Sequence, residues 1–270
     1  MPDPSDTTTG PVGLSRHDLY ELCVQSPRHI VPMLRAVHGG SPRTLAEDFA
    51  GTAAVSHLWA ELDASRHAIA TDTDAETLAR RPDHPRVTKH ATDVMAITDP
   101  ADIVFVGNFS IGYMHTRKDL LAYLRHARSR ISPAGVLICD TYGGDTAFLT
   151  GDVHRDHIIT EGPHAGKRVR YTWEQRDADP ITAMVTDVCH FRVDKAGVIE
   201  LELDDAFVYR WRLWSVPELI DAMHEAGFTT TEVYDKTPDA MDEDGNVYLL
   251  PVEDGSELED SFIVCVAARL

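Results

Sequence analysis

The chain has 270 residues, of which 43% are hydrophobic and 26% are charged, and it is long enough for one large domain or a domain with an insertion. Its formal net charge of −19 opposes contact with the phosphate backbone of nucleic acids and suits a neutral or cationic small molecule. It has no apolar run of the length that spans a membrane. We therefore expect neither a nucleic-acid nor a membrane partner.

The N-terminus and the cysteines narrow the possible classes of protein further. Residues 1–14 are polar and lack the basic and apolar regions of a signal peptide, so we interpret them as a flexible tail and expect a cytoplasmic protein. The four cysteines are far apart, and the 14 histidines have no ligand-like spacing. The sequence therefore predicts no metal site.

Two helices are predicted within residues 15–40. The first covers residues 16–24. The second begins with Ser26 as its N-cap and Pro27 at its first position, and it ends at Gly39.

Residues 44–54 predict a strand, a turn of small residues and the start of a helix, which is the first half of a βαβ unit. Small residues let the backbone approach a ligand, and the helix N-terminus presents unpaired N–H groups. The second strand, residues 67–71, ends at Asp72. An acid about 20 residues beyond a nucleotide-binding turn is where ribose hydroxyls are held, and Asp72 fits that place.

The alternation of strands and helices continues to residue 140. A short third strand is predicted over residues 86–89, and the fourth, over residues 101–107, is a continuous apolar run typical of a strand buried on both faces. Thr116 is predicted to cap a long amphipathic helix. A turn at residues 132–135 leads into a fifth strand over residues 136–139.

The alternation of strands and helices breaks off at residues 140–144, and between residues 167 and 214 the hydrophobic period is two, which predicts three antiparallel strands. Ser215 and Glu218 form a capping box, and Gly227 ends the helix that follows. A sixth strand, a long acidic loop and a last strand over residues 261–268 complete the chain.

This order of elements resembles the class I S-adenosylmethionine-dependent methyltransferases. Their first motif is an acid, any residue and then G-x-G-x-G, which places Glu47 as the acid and keeps only Gly51 of the glycines. Residues 132–135, S-P-A-G, are similar to the family's L-x-P-G-G. The stretches EDFAGTA, VQSP and YRWRLWSVPEL are similar to a bacterial branch of unassigned substrate.

The resemblance implies an α/β fold with a seven-stranded, Rossmann-like sheet, whose last strand is antiparallel and lies between the fifth and sixth. Residues 41–144 and 215–270 would form the cofactor-binding core. Residues 15–40 would form an N-terminal helical lid, and residues 145–214 an antiparallel β insertion that covers the substrate site.

The resemblance also implies the cofactor, S-adenosyl-L-methionine. Asp72 would accept both ribose hydroxyls, and Asp93 would accept the adenine amino group. The expected cofactor-binding residues are Glu47, Phe49, Ala50, Gly51, Asp72, Thr73, Asp93, Val94, Asn108 and Phe109, with Tyr20 from the lid.

In this family the tip of the fourth strand faces the methyl group, which makes Tyr113 and His115 the catalytic candidates, with His115 as a general base. The sequence has no N-P-P-Y motif, which disfavours transfer to a base or amide nitrogen of a nucleic acid or protein. The expected substrate contacts are Ser110, Tyr142, Trp173, Tyr209 and Trp211.

The expected function is methyl transfer to a small-molecule acceptor. Tyr209 and Trp211 share one face of a strand and can hold an amine by cation–π contact, which with the acidic charge favours an amine nitrogen over a hydroxyl. Arg210 and Arg212 share the opposite face, and if that face were the inner one, they would instead favour a carboxylate substrate. Small-molecule O-methylation, a nicotinamide-dependent oxidoreductase and a non-catalytic S-adenosylmethionine-binding protein stay open, as does a homodimer.

Overall fold

The computed structural model describes residues 13–243 and 246–270, so most of the predicted tail at residues 1–14 lies outside the described residues. The strands are β1 Thr44–Asp48, β2 His67–Asp72, β3 Val87–Ala91, β4 Ala101–Val106, β5 Ile131–Gly144, β6 Gly151–Ile158, β7 Arg168–Asp179, β8 Met184–Lys195, β9 Val198–Arg212, β10 Thr230–Asp235, β11 Ala240–Met241, β12 Val247–Tyr248 and β13 Ser261–Arg269. The helices are α1 Arg16–Cys23, α2 Pro27–His38, α3 Ala54–Glu61, α4 Ala75–Ala79, α5 Arg117–Arg130 and α6 Val216–Ala226.

The larger sheet has seven strands in the order β10-β13-β5-β4-β1-β2-β3. The first five strands pair in parallel, and β13 is antiparallel to both β5 and β10. The predicted α/β sheet with an antiparallel last strand is therefore confirmed. Because β1, β2 and β4 are parallel, their carboxyl ends meet at one edge of the sheet, and most of the predicted cofactor residues follow these ends.

The central strands are buried on both faces, since apolar residues occupy successive positions. In β4, Ile103 and Phe105 belong to the core shared with α2 and α3, whereas Val104 and Val106 belong to the core shared with α5 and α6. Burying each such side chain contributes about 1.5–3 kcal/mol. The continuous apolar run of β4 therefore supports both layers of helices.

Helix ends follow their local sequence signals. The side chain of Thr116 accepts a hydrogen bond at the N-terminus of α5, and Ser215 and Glu218 form the predicted capping box of α6. Gly227 ends α6 with φ of 102°, a left-handed conformation that glycine adopts without steric cost. These predictions are confirmed. They could be made from the sequence because capping depends on residues within one helical turn.

The fifth strand differs from its prediction at both ends. Residues 132–135 are a bulge inside β5 rather than a turn before it, since Ala101 pairs with Ile131 and Ile103 with Val136. A Cβ on Gly135 would lie 2.7 Å from the carbonyl oxygen of Asp102, so only glycine fits there. The strand also continues past residue 139 to Gly144, because β13 pairs with it along that length.

The insertion has four strands, in the order β6-β7-β8-β9, where three were predicted. The sequence pattern missed β6, whose side chains are exposed on both faces except at residue 157. An edge strand of this kind has no alternation of apolar and polar residues. The short pair β11 and β12, within the long acidic loop, was missed as well.

The chain divides into two compact units. The core unit comprises Pro27–Ala147 and Arg212–Leu270, and the antiparallel unit comprises Phe148–Trp211 with the described residues 13–26. Residues 15–40, predicted as one lid, are therefore divided. Leu19 of α1 packs within the antiparallel unit, and Leu34 of α2 packs within the core unit. That either helix acts as a lid stays a prediction.

None of the helices in residues 13–243 and 246–270 is both long enough and apolar enough to cross a membrane.

A buried ion pair joins the end of β1 to α5. Asp48 and Arg130 each expose 1% of their surface, and the guanidinium donates to both carboxylate oxygens over 3.1–3.2 Å. The hydroxyl of Tyr123 donates to the same carboxylate over 2.8 Å. Burial and the charge of Asp48 raise the pKa of Tyr123 well above its ordinary value, so this hydroxyl stays a donor.

We expect the Arg130→Met substitution to lower the free energy of unfolding by about 3–5 kcal/mol, because it leaves the Asp48 carboxylate buried without a counter-charge. Urea unfolding at neutral pH measures this loss. The double variant Asp48→Asn with Arg130→Met should lose less than the sum of the two single variants. The matched control is Arg170→Met, which removes an exposed ion pair with Asp156 and should leave stability nearly unchanged. An equally small effect of Arg130→Met would contradict the prediction.

Candidate cofactor and substrate site

The turn after β1 keeps a left-handed backbone although most of its glycines are gone. Phe49, Gly51 and Ala53 have φ of 59°, 52° and 58°. These are the three positions where the methyltransferase motif has glycine. A side chain in this conformation costs about 1–2 kcal/mol per residue, so the turn is held by the surrounding structure. Ala50, 3% exposed, anchors it by donating its N–H to the carbonyl of Thr71.

Asp72 fixes this turn from the neighbouring strand. One carboxylate oxygen accepts the N–H of Gly51 over 2.8 Å, and the other accepts the N–H of Asp74 over 2.9 Å. Each oxygen keeps further acceptor capacity for a ligand hydroxyl. Asp74 caps α4, so the two acids have separate structural roles.

Glu47 is the buried acid of the motif, with 2% of its surface exposed. One carboxylate oxygen accepts from the N–H and the hydroxyl of Ser56, over 2.8 and 2.6 Å. The other oxygen, Oε1, is buried and has no hydrogen-bond partner among the described residues. Burial raises the pKa of Glu47 to about 7, despite the bonds from Ser56 and the nearby charge of Arg81.

The turn after β4 gathers several predicted residues within the core unit. Asn108 and Phe109 are both left-handed, with φ of 53° and 59°. The ring of Phe109 lies 5.0 Å from that of Tyr142, with an edge-on geometry. Ser110, 7% exposed, begins a 3-10 turn that ends at Tyr113.

The catalytic candidates lie in the segment after this turn. The ring of Tyr113, 43% exposed, lies 5.9 Å from that of Phe49, which brings the ends of β1 and β4 together. The backbone carbonyl of His115 accepts from Arg212 over 3.4 Å. A general-base role for His115 stays a prediction.

The residues expected around the adenine and ribose follow β2 and β3. Thr73 comes directly after β2. The carboxylate of Asp93 accepts the N–H of Met95 over 2.8 Å and caps a 3-10 turn that begins at Val94, a residue 4% exposed. Their contacts with a cofactor stay predictions.

The antiparallel unit holds the remaining aromatic candidates. Tyr209 and Trp211 do share a face of β9, and their rings stack at 4.4 Å. Phe207 extends this stack at 6.1 Å from Tyr209, and Tyr20 of α1 packs 4.9 Å from Phe207. Trp173 lies on β7 and packs, partly buried, against the apolar cluster that also includes Tyr20, Phe207 and Tyr209. The rings of Tyr20, Phe207, Tyr209 and Trp211 thus form a continuous row of contacts within this unit.

One group of possible metal ligands occurs in the described residues, formed by Glu174, His190 and Asp205. The N–H of Asp205 donates to Nδ1 of His190 over 3.1 Å, so the ring carries its proton on Nε2, which donates to Glu174 over 3.0 Å. Arg176 donates to both carboxylates. The ligand atoms are therefore engaged with one another, and the cluster is an ion-pair network.

The structure adds residues that the sequence reading missed. Asp140 and Lys236 form a partly buried ion pair beside the turn after β4. Asp140, like Asp72, is an acid directly after a predicted strand, but it lacks the spacing of about 20 residues from the first turn that selected Asp72. No local signal marked Lys236, because it reaches Asp140 from a segment 96 residues away in the sequence.

No protein-family model matches the chain, and no curated protein matches it in sequence. Solved structures match its fold. An S-adenosylmethionine-dependent methyltransferase from Clostridium acetobutylicum ATCC 824 is 14% identical, with a TM-score of 0.60 over 94% of this chain and 97% of that chain. The sugar N-methyltransferase KedS8 from Streptoalloteichus sp ATCC 53650 is 16% identical, with a TM-score of 0.58 over 94% and 92%. CalS10, an amino pentose methyltransferase from Micromonospora echinaspora, is 18% identical, with a TM-score of 0.59 over 96% and 93%.

The chain has the class I methyltransferase fold. The match extends over nearly the whole chain in each of the three comparisons. It also agrees with the strand order and the antiparallel last strand observed here.

The pH dependence of stability tests the environment of Glu47. Its pKa in the folded state, about 7, lies above the ordinary value of 4.5, so the folded state binds the proton more tightly. The stabilisation of the folded state by this proton is fully present below pH 4.5 and is lost as the pH rises to 7. We expect the free energy of unfolding to fall by up to about 3 kcal/mol from this group, and Glu47→Gln to remove that slope.

Urea unfolding between pH 4.5 and 8 measures the slope, with Glu61→Gln, an exposed position at the end of α3, as the control. Parallel pH curves for the wild type and Glu47→Gln would contradict the prediction.

Proposed function

We propose that the chain transfers a methyl group from S-adenosyl-L-methionine to a small-molecule acceptor, and that the accepting atom is an amine nitrogen. The observation that carries this proposal is the left-handed turn at Phe49, Gly51 and Ala53, hydrogen-bonded to Asp72. A backbone kept in this form at a steric cost, without its glycines, indicates a retained ligand-binding role.

The residues at the sheet edge fit this cofactor. The buried Oε1 of Glu47, which has no partner among the described residues, would accept from the cofactor's ammonium group. Asp72 would accept the ribose hydroxyls with its remaining lone pairs. Asp93 and Val94, after β3, would hold the adenine. When bound, the cofactor supplies an electrophilic methyl group on a sulfonium centre.

The chain's own residues would then bind and align the acceptor, since an aligned pair reacts far faster than two free molecules. Ser110 and Tyr142, beside the turn after β4, are the acceptor contacts that we propose from the core unit. His115 would take the proton from an acceptor that arrives protonated, with Tyr113 beside it in the chain.

An amine acceptor is supported by three observations. Two of the structural neighbours are a sugar N-methyltransferase and an amino pentose methyltransferase. The net charge of −19 attracts cations. Tyr209, which is partly exposed and stacks on the buried ring of Trp211, would offer aromatic surface to an ammonium. A hydroxyl acceptor is the alternative. A cytoplasmic location and a homodimer stay predictions.

Calorimetric titration with S-adenosylmethionine and its demethylated product, S-adenosylhomocysteine, tests the cofactor. We expect the wild type to bind both with a micromolar Kd, about −8 kcal/mol, and Asp72→Ala to lose binding. The matched control is Asp74→Ala, which removes the α4 cap two residues away and should keep binding. A folded wild type that binds neither compound would overturn the proposal, and a rise in Tm with a nicotinamide cofactor would support an oxidoreductase instead.

The acceptor is tested by release of S-adenosylhomocysteine in the presence of matched amino sugars and neutral sugars. We expect turnover with the amines, and a kcat/KM about tenfold lower in Tyr209→Leu because a cation–π contact is lost. Tyr209→Phe keeps the ring and should stay near the wild-type value. Turnover of neutral sugars alone would establish O-methylation. Cofactor binding without turnover of any acceptor would support a non-catalytic role.

A further inference from the structure

The turn after β4 is held by a carboxylate from the neighbouring strand β5. Oδ2 of Asp140 accepts the N–H of Asn108 over 3.0 Å, and Oδ1 accepts the N–H of Phe109 over 2.7 Å. Two successive N–H groups that point into one concavity form an anion-binding nest, and here the chain's own side chain fills it. The carboxylate therefore bonds the two residues whose backbone is left-handed.

Lys236, directly after β10, completes this arrangement. Its ammonium lies 2.6 Å from Oδ2 of Asp140, whose side chain is fully buried. The same ammonium lies 5.6 Å from the centre of the Phe109 ring, on its face. A buried carboxylate needs both hydrogen bonds and a counter-charge, and Asp140 obtains them from the turn after β4 and from the segment after β10.

The left-handed backbone of the turn gives the contact with Asp140 a role in determining the conformation of the turn. Asn108 and Phe109 carry side chains in a conformation that favours glycine, and they are consecutive. Without the carboxylate, both N–H groups would lose their acceptor, and a right-handed turn would be favoured. Such a change would move Asn108, Phe109 and the 3-10 turn that begins at Ser110.

We propose that Asp140, with Lys236 as its counter-ion, is a positioning residue that holds the turn after β4 in its ligand-binding form. This inference rests on the proposed function for its effect on the cofactor, whose methionine portion the turn would face. Its effect on the turn itself does not depend on that function.

The test uses the full chain, labelled with ¹⁵N, and compares the wild type with Asp140→Asn and Lys236→Met. In Asp140→Asn we expect the amide hydrogens of Asn108 and Phe109 to exchange at least about tenfold faster, because an amide side chain cannot accept both bonds. We expect the Kd for S-adenosylhomocysteine to rise about tenfold and the Kd for adenosine, which lacks the methionine portion, to stay unchanged.

Asp102→Asn is the matched control. The carboxylate of Asp102 also accepts two backbone N–H groups, those of Arg43 and Thr44, but at the opposite edge of the sheet. This variant should leave the amides of Asn108 and Phe109, and the binding of both ligands, unchanged. If Asp140→Asn does not fold, the double variant Asp140→Asn with Lys236→Met is measured in the same way. It removes the Lys236 ammonium, which would otherwise lie against the NH2 group of the new amide.

Unchanged exchange at Asn108 and Phe109 in the Asp140 variants would overturn the inference. Equal loss of adenosine and S-adenosylhomocysteine binding would overturn it as well, because that result reflects general destabilisation. If the wild type binds no S-adenosylhomocysteine, the proposed function fails, and the exchange rates alone decide whether Asp140 holds the turn.

Discussion

Left-handed backbone at residues that carry side chains is the constraint on which the turns at the carboxyl edge of the seven-stranded sheet depend. Phe49 and Ala53 after β1, and residues 108–109 after β4, adopt it without glycine. Each such residue costs about 1–2 kcal/mol, whereas a hydrogen bond to a carboxylate contributes about 1.5–3 kcal/mol. The carboxylates of Asp72 and Asp140 can therefore offset the strain, and each reaches the turn from a neighbouring strand.

Three buried acids at this edge are stabilised in different ways, although the chain carries an excess of negative charge. Asp48 is paired with Arg130, and Asp140 with Lys236. Glu47 has hydrogen bonds from Ser56 alone among the described residues, which leaves one oxygen without a partner. Burial raises the pKa of Glu47 to about 7. Its oxygen without a partner is the reason that we propose Glu47 as a contact for the cofactor's ammonium group.

Much of the fold could be predicted from local sequence, whereas the site was predictable only in part. The apolar run of β4, the capping residue Thr116 and the terminal Gly227 act within a few residues and were identified correctly. The strand β6 was missed because its exposed side chains lack a periodic pattern. Asp72 was found because it directly follows a strand, but its bond to the turn depends on the pairing of β1 with β2.

The sequence by itself determined the order of strands and helices in the seven-stranded sheet and its helical layers, the helix ends and the acids at the strand ends, and hence the class of fold. These features follow from hydrogen bonds and burial patterns within one or two turns of the chain. Only the tertiary structure decided that the first turn keeps its left-handed form without glycines, that Glu47 has an oxygen without a partner, and that Asp140 and Lys236 meet beside the turn after β4. The bond that Asp72 makes to the first turn joins residues 21 positions apart, and the contact between Asp140 and Lys236 joins residues 96 positions apart; the register of the sheet brings both pairs together.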